Sequence, residues 1–342
     1  MRTGFVCLAA HWCLLAMGCP VEGQSEAPDK ATVQRWEQAM HAAQELREGG
    51  AYEAAYRGFE EAGAISRTMP GPPILQARTY ESLGSVASAL GRPLEAEGHY
   101  LAAIRIWETL GEPATVALLQ SKADLVSLYV ETGQTGRADR LAKRLAADAE
   151  GKLGSDSTAE GRVLIAISAA AYLNQDMDRA ESLCRKAVRI KDKNADMSPE
   201  ERSQAHNQLG LILWKRDHRG AALQEARKAT EVLEKQERTQ SLEYAAALAN
   251  LAMMMASEHH DPRALGLLDR AIGVVRSSVG TGHVFLAELL TNYAELLKNA
   301  KRGDESKAAR REAQTIYQRT LVQQPGRYSV DVADLTRGAV RR

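Results

Sequence analysis

One alanine recurs at a fixed interval. Steps of 42 residues from Ala222 fall on Ala54, Ala96, Ala138, Ala180 and Ala264. The same step from Leu209 gives Leu83, Leu125, Ile167, Leu251 and Tyr293, with polar His41 at the first position. The residue after each is Ala42, Gly84, Val126, Ser168, Gly210, Ala252 or Ala294, small almost throughout. Three positions repeating together at this period define a solenoid, in which each unit buries its apolar face only against its neighbours. The small residues mark where two helices approach closely.

The unit is clearest from Ser198 to Gln236. Ser198-Pro199-Glu200-Glu201 reads as a helix start, with Ser at the N-cap, Pro at the first helical position and Glu three residues on. A helical pattern runs to Trp214, a polar break spans Arg216 to Gly220, and a second helix carries Ala222, Ala226, Ala229 and Leu233. Two helices joined by a tight turn make an antiparallel pair. The predicted fold is therefore all-α, a right-handed superhelical solenoid of about seven helix pairs over residues 32–321.

Leu83-Gly84 followed by Ala96, Tyr100 and Ala103, and Leu209-Gly210 followed by Ala222 and Ala229, resemble tetratricopeptide repeats in the 42-residue form of kinesin light chains and many bacterial proteins. The family's second-helix aromatic is Tyr100 here, with Gly58, Ala142, Cys184, Ala226 and Leu268 at the corresponding steps. The 42-residue step passes through the proline-containing loop Arg67 to Pro73, and a longer turn around Gly303 shifts the last alanine position to Ala308. The resemblance implies that the first helices line a concave groove for a peptide or protein. It maps groove positions to Gln204, Asn207, Leu211, Trp214, Gln120, Ser127, Arg162, Ala169, Glu288 and Glu295. Asn207 matches a family position that contacts peptide backbone. Asn250 and Asn292 stand one place later, so the ladder of asparagines is broken. Trp214 is the expected aromatic anchor, and packing against the next helix pair is its other reading.

The termini read differently. Arg2 followed by a largely apolar run from Gly4 to Gly18, ending Ala16-Met17-Gly18, has the pattern of a secretory leader over residues 1–18. Cys19 then stands where a bacterial lipoprotein carries its lipid, the only membrane attachment expected. Residues 19–31 read as a polar spacer and 322–342 as a tail. The expected location is the periplasm or envelope, or the cytoplasm if the leader is not used. Cys184, on an inward stripe beside Ala180 and Ala187, reads as a small buried hydrophobe.

With 44 basic and 44 acidic residues there is no net charge to steer nucleic acid, and none is expected as a partner. The basic face Arg137, Arg140, Lys143 and Arg144 reads as a solvated outer surface. Adjacent His259 and His260 lack a third ligand at metal spacing, and the Met253–Met255 run reads as core. No nucleophile elbow or phosphate loop occurs, so the sequence predicts no catalytic, cofactor or metal residues. The competing reading is a structural or assembly subunit that binds through its convex face or its ends.

Overall fold

The computed structural model describes residues 29–70, 73–194, 197–259 and 262–323. The expected leader, Cys19, most of the spacer, His260 and the tail beyond 323 lie outside them. The described residues form fourteen α-helices and one short 3-10 turn. They pair in chain order: α1 (Lys30–Glu48) with α2 (Tyr52–Arg67), α3 (Ile74–Ala89) with α4 (Pro93–Leu110), α5 (Thr115–Glu131) with α6 (Thr135–Ala149), and α7 (Thr158–Leu173) with α8 (Met177–Lys193). There follow α9 (Pro199–Lys215) with α10 (Arg219–Lys235), α11 (Leu242–His259) with α12 (Arg263–Val279), and α13 (Val284–Asn299) with α14 (Gly303–Gln323). No helix among the described residues is long and apolar enough to cross a membrane.

Local chemistry sets the ends. Ser198 and Glu201 form the reciprocal capping box at α9, each side chain taking the other's backbone N–H at 3.2 and 3.3 Å. Ser157 caps α7 through the Glu160 N–H, whereas the Glu160 carboxylate reaches the Asp156 N–H. The turn within a pair is built the same way in six of them. The N–H of Ala51, Arg92, Gln134, Asp176, His218 and Arg302 donates to the carbonyl five residues back at 2.8–2.9 Å. The residue before each takes a left-handed φ, which glycine does without strain at Gly50, Gly91 and Gly133. Gln175, Asp217 and Lys301 adopt φ of 64°, 65° and 61° with a side chain attached.

The recurring alanines are the contact points of the stack. Ala96, Ala138, Ala180 and Ala222 are wholly buried and Ala264 is 1% exposed. Ala180 and Ala222 face the small residue of their pair's first helix. The Ser168 hydroxyl donates to the Ala180 carbonyl at 2.8 Å, and a Cβ on Gly210 would stand 3.3 Å from the Ala222 carbonyl. Cys184 is fully buried, with its thiol pushed up to about 12 by burial.

Two expected positions are corrected. In the first pair Ala43, Ala55 and Phe59 are buried, whereas Ala42 is exposed and Ala54 only half-buried. The step into the second pair is thus 41, one less than elsewhere, and the aromatic of the first pair is Phe59 rather than Gly58. In the last pair the 42-residue step is kept. Ser306 holds the buried place with its hydroxyl donating to the Ala294 carbonyl at 2.7 Å, and Ala308 is exposed. A small polar residue serves there because the facing carbonyl satisfies it.

The stack curves until its first pairs meet its sixth and seventh. Tyr52 Oη accepts the Leu242 N–H at 3.1 Å across 190 residues of chain. Arg238 pairs with Glu48 at 2.6 Å and reaches Glu200 at 3.7 Å. Leu242 and Val279 pack on the cluster of Ala43, Tyr52 and Phe59. Gly91 lies so close to His283 that a Cβ would stand 2.6 Å from its ring. These contacts close one superhelical turn around a lumen.

Candidate functional site

The lumen has a volume of about 860 Å³ and is lined by the first helix of all seven pairs. It does not run straight along those helices. α1 and α3 contribute their later turns, from Gln44 and Arg47 and from Glu81 to Ala89. α7, α9, α11 and α13 contribute their early turns, such as Arg162, Gln204, Glu243 and Glu288. Closure explains this: the tips of the first two pairs rest against the starts of α11 and α13, so the enclosed space crosses the stack obliquely.

This geometry divides the predicted groove residues. Gln204 and Asn207 line the lumen, as do Gln120, Ser127, Arg162 and Glu288. Asn250 is not a wall residue itself; its amide N–H donates to the Asn207 side-chain oxygen at 3.0 Å and fixes that amide's orientation. Leu211 and Trp214, further along α9, pack partly buried against the core of α7 to α12. The Arg219 guanidinium covers the Trp214 ring at 4.0 Å. Ala169 and Glu295 are also outside the lining. On the outer face Arg137 pairs with Glu97 and lies 4.1 Å from the Tyr129 ring, and Lys143 pairs with Asp139.

Sequence reasoning passed over most of the charge in the wall. Seven carboxylates line the lumen against three cationic side chains, Arg47, Arg162 and Lys191. Glu201 is bonded to Arg162, and its backbone carbonyl accepts from Lys191 Nζ at 3.0 Å. Glu81 accepts from Trp107 at 2.8 Å and from Ser121. Enclosure pushes Asp124 up to about 7, with Arg162 opposing the shift. It also raises Glu81, Glu131, Glu243 and Glu288, in each case chiefly by loss of solvent around the charge. Glu131 and Glu288 nevertheless remain solvent-accessible, whereas Asp124 and Glu243 are partly buried. The available signal was an acidic residue beside the apolar run of a first helix, such as Asp124 before Leu125-Val126. Among the described residues no three metal-ligating side chains converge.

Repeated antiparallel pairs, small-on-alanine contacts and a concave wall of first helices decide the architecture. The fold is a tetratricopeptide-like repeat solenoid. No protein-family model matches the sequence, and no curated protein does. Solved structures do resemble this solenoid. The Rap conjugation gene regulator of plasmid pLS20, in complex with the Phr* peptide, superposes with a TM-score of 0.66 at 11% identity, covering 94% of this chain and 84% of its own. A Rap protein complexed with Competence and Sporulation Factor gives 0.61 at 12% identity, over 89% and 85%. BtubC (BKLC) from P. vanneervenii gives 0.51 at 19% identity, over 71% and 97%.

Proposed function

We propose that this solenoid is a scaffold acting by binding rather than catalysis, and that it takes a peptide or an extended protein segment in its lumen. The observation that carries the reading is the closed turn itself: about 860 Å³ of space, walled by polar and apolar surface in equal measure and presented by all seven pairs. Gln204 and the Asn207–Asn250 amide pair offer donors and acceptors to a peptide backbone. The Rap conjugation gene regulator solved in complex with the Phr* peptide supports this reading at the level of fold. The outer surface offers less: the large apolar side chains exposed among the described residues are Leu46, Leu94 and Val116, on three different helices.

The test is a selection from a random nonapeptide library against the full chain, followed by titration of the best binder. Asn207→Ala is expected to weaken binding by about 1–3 kcal/mol at an unchanged thermal midpoint, since its amide is held in the wall. Full affinity in Asn207→Ala and Gln204→Ala together places the ligand elsewhere. Trp214 lies outside the lumen lining and packs on the core, so Trp214→Ala is expected to lower the midpoint, and weaker binding at an unchanged midpoint would contradict that placement. The leader pattern over residues 1–18 supports export to the envelope, with Cys19 as the residue to carry lipid. Intact mass of the native protein tests both steps, because a retained leader ends the export reading and an unmodified Cys19 ends the lipid reading.

A further inference from the structure

We propose that the lumen selects a cationic ligand, specifically a peptide carrying at least two Arg or Lys side chains. This inference rests on the peptide-binding reading and names the chemistry of the partner.

The charge imbalance of the wall is not cancelled within the protein. Asp124, Glu131, Glu243 and Glu288 lie on three different helices facing one space and form no ion pair among the described residues; Glu131 accepts only the neutral Ser88 hydroxyl at 2.8 Å, and Arg47 acts on Glu243 without a direct pair. Arg162, whose charge acts on Asp124, is already committed to Glu201. Lys191 is 1% exposed and spends its ammonium on a backbone carbonyl. A second, independent feature points to a missing partner. Ser203 lines the same lumen and is 1% exposed, yet its hydroxyl has no hydrogen-bond partner. Buried hydroxyls are rarely left so.

Carboxylates gathered around one space without direct ion pairs repel one another, and those withdrawn from water hold their protons more tightly. A guanidinium or ammonium entering the lumen relieves both terms at once, because attraction between opposite charges grows as water is excluded. An acidic ligand meets the opposite balance. A bound metal ion fits less well than an organic cation, since the carboxylates are spread along the wall rather than converging. The volume is near the upper end of the roughly 300–1,000 Å³ usual for ligand pockets, and the lumen is open, so it suits an extended segment better than a lone amine.

The experiment is a positional-scanning nonapeptide library screened against the full chain at low salt. Enrichment of Arg or Lys at two or more positions is expected, with affinity falling as salt rises. Asp124→Asn with Glu131→Gln is expected to weaken the best binder by about tenfold or more, as loss of close charge pairs does. Glu288→Gln, made separately with its thermal midpoint measured, keeps the test open if the double variant misfolds. Binders without basic enrichment, or full affinity in folded neutralised variants, overturn the cationic inference and leave peptide binding standing. A library that yields no binder overturns both.

Discussion

Gly84 and Gly98 sit on neighbouring helices, and replacing each with alanine should move stability in opposite directions. A Cβ on Gly84 would lie 2.8, 2.9 and 3.0 Å from three atoms of the Tyr100 ring. Tyr100 is only 5% exposed, so its ring has little room to swing aside. Overpacking of this kind costs about 1–3 kcal/mol. Alanine in place of a mid-helix glycine returns about 1 kcal/mol through backbone entropy. The net for Gly84→Ala is a loss of up to about 2 kcal/mol. A Cβ on Gly98 in α4 meets nothing within 4 Å, so only the entropic term acts there. Gly98→Ala should therefore gain about 1 kcal/mol. Urea denaturation followed by circular dichroism reads both. Repeating Gly84→Ala in a Tyr100→Leu background closes a double-mutant cycle, and the penalty should largely vanish there. Equal gains from the two alanines would refute the claim that small residues at this step set the helix spacing.

Three further outcomes follow from the geometry. Asp124 holds its proton more tightly when folded, with a pKa of about 7 against an ordinary 3.8, so its effect is most favourable at low pH and is lost as pH rises to about 7. Asp124→Asn should flatten the thermal midpoint over that window and raise it above, and an unchanged pH profile would contradict the burial of that carboxyl. Gln175→Gly relieves a left-handed φ of 64° and should add up to about 1 kcal/mol, strain of about 1–2 kcal/mol less about 0.4–1 kcal/mol of added unfolded-chain entropy, read by thermal denaturation, with a falling midpoint as the contrary result. Arg238→Ala removes the link from the α10–α11 loop to Glu48 and Glu200, at a cost of about 1 kcal/mol. Spin labels on that loop and on the α1–α2 turn should then show a broader distance distribution, and an unaltered one would mean that Tyr52 and the apolar contacts close the turn unaided.

The sequence by itself determined the repeat. Spacing, caps and turns are local, and a fixed step of alanines against small residues has one physical meaning in helical pairs. The two slips were local as well. A one-residue shortening across the proline loop moved the first pair's buried set to Ala43, Ala55 and Phe59. Ser306 hid the last step because its hydroxyl is satisfied by a carbonyl that sequence does not display. What only the tertiary structure decided is closure. Curvature accumulates from small rotations between pairs, and no single repeat encodes where the accumulated arc returns on itself. Once Tyr52 meets Leu242 and Gly91 meets His283, the enclosed space crosses the wall obliquely. That crossing takes in Gln204 and Asn207, leaves Leu211 and Trp214 on the core side, and gathers carboxylates scattered over the chain into one enclosed field. Each of those carboxylates is unremarkable on its own helix, and it is their gathering around one space, with Asp124 and Glu243 partly withdrawn from water, that gives the lumen its character.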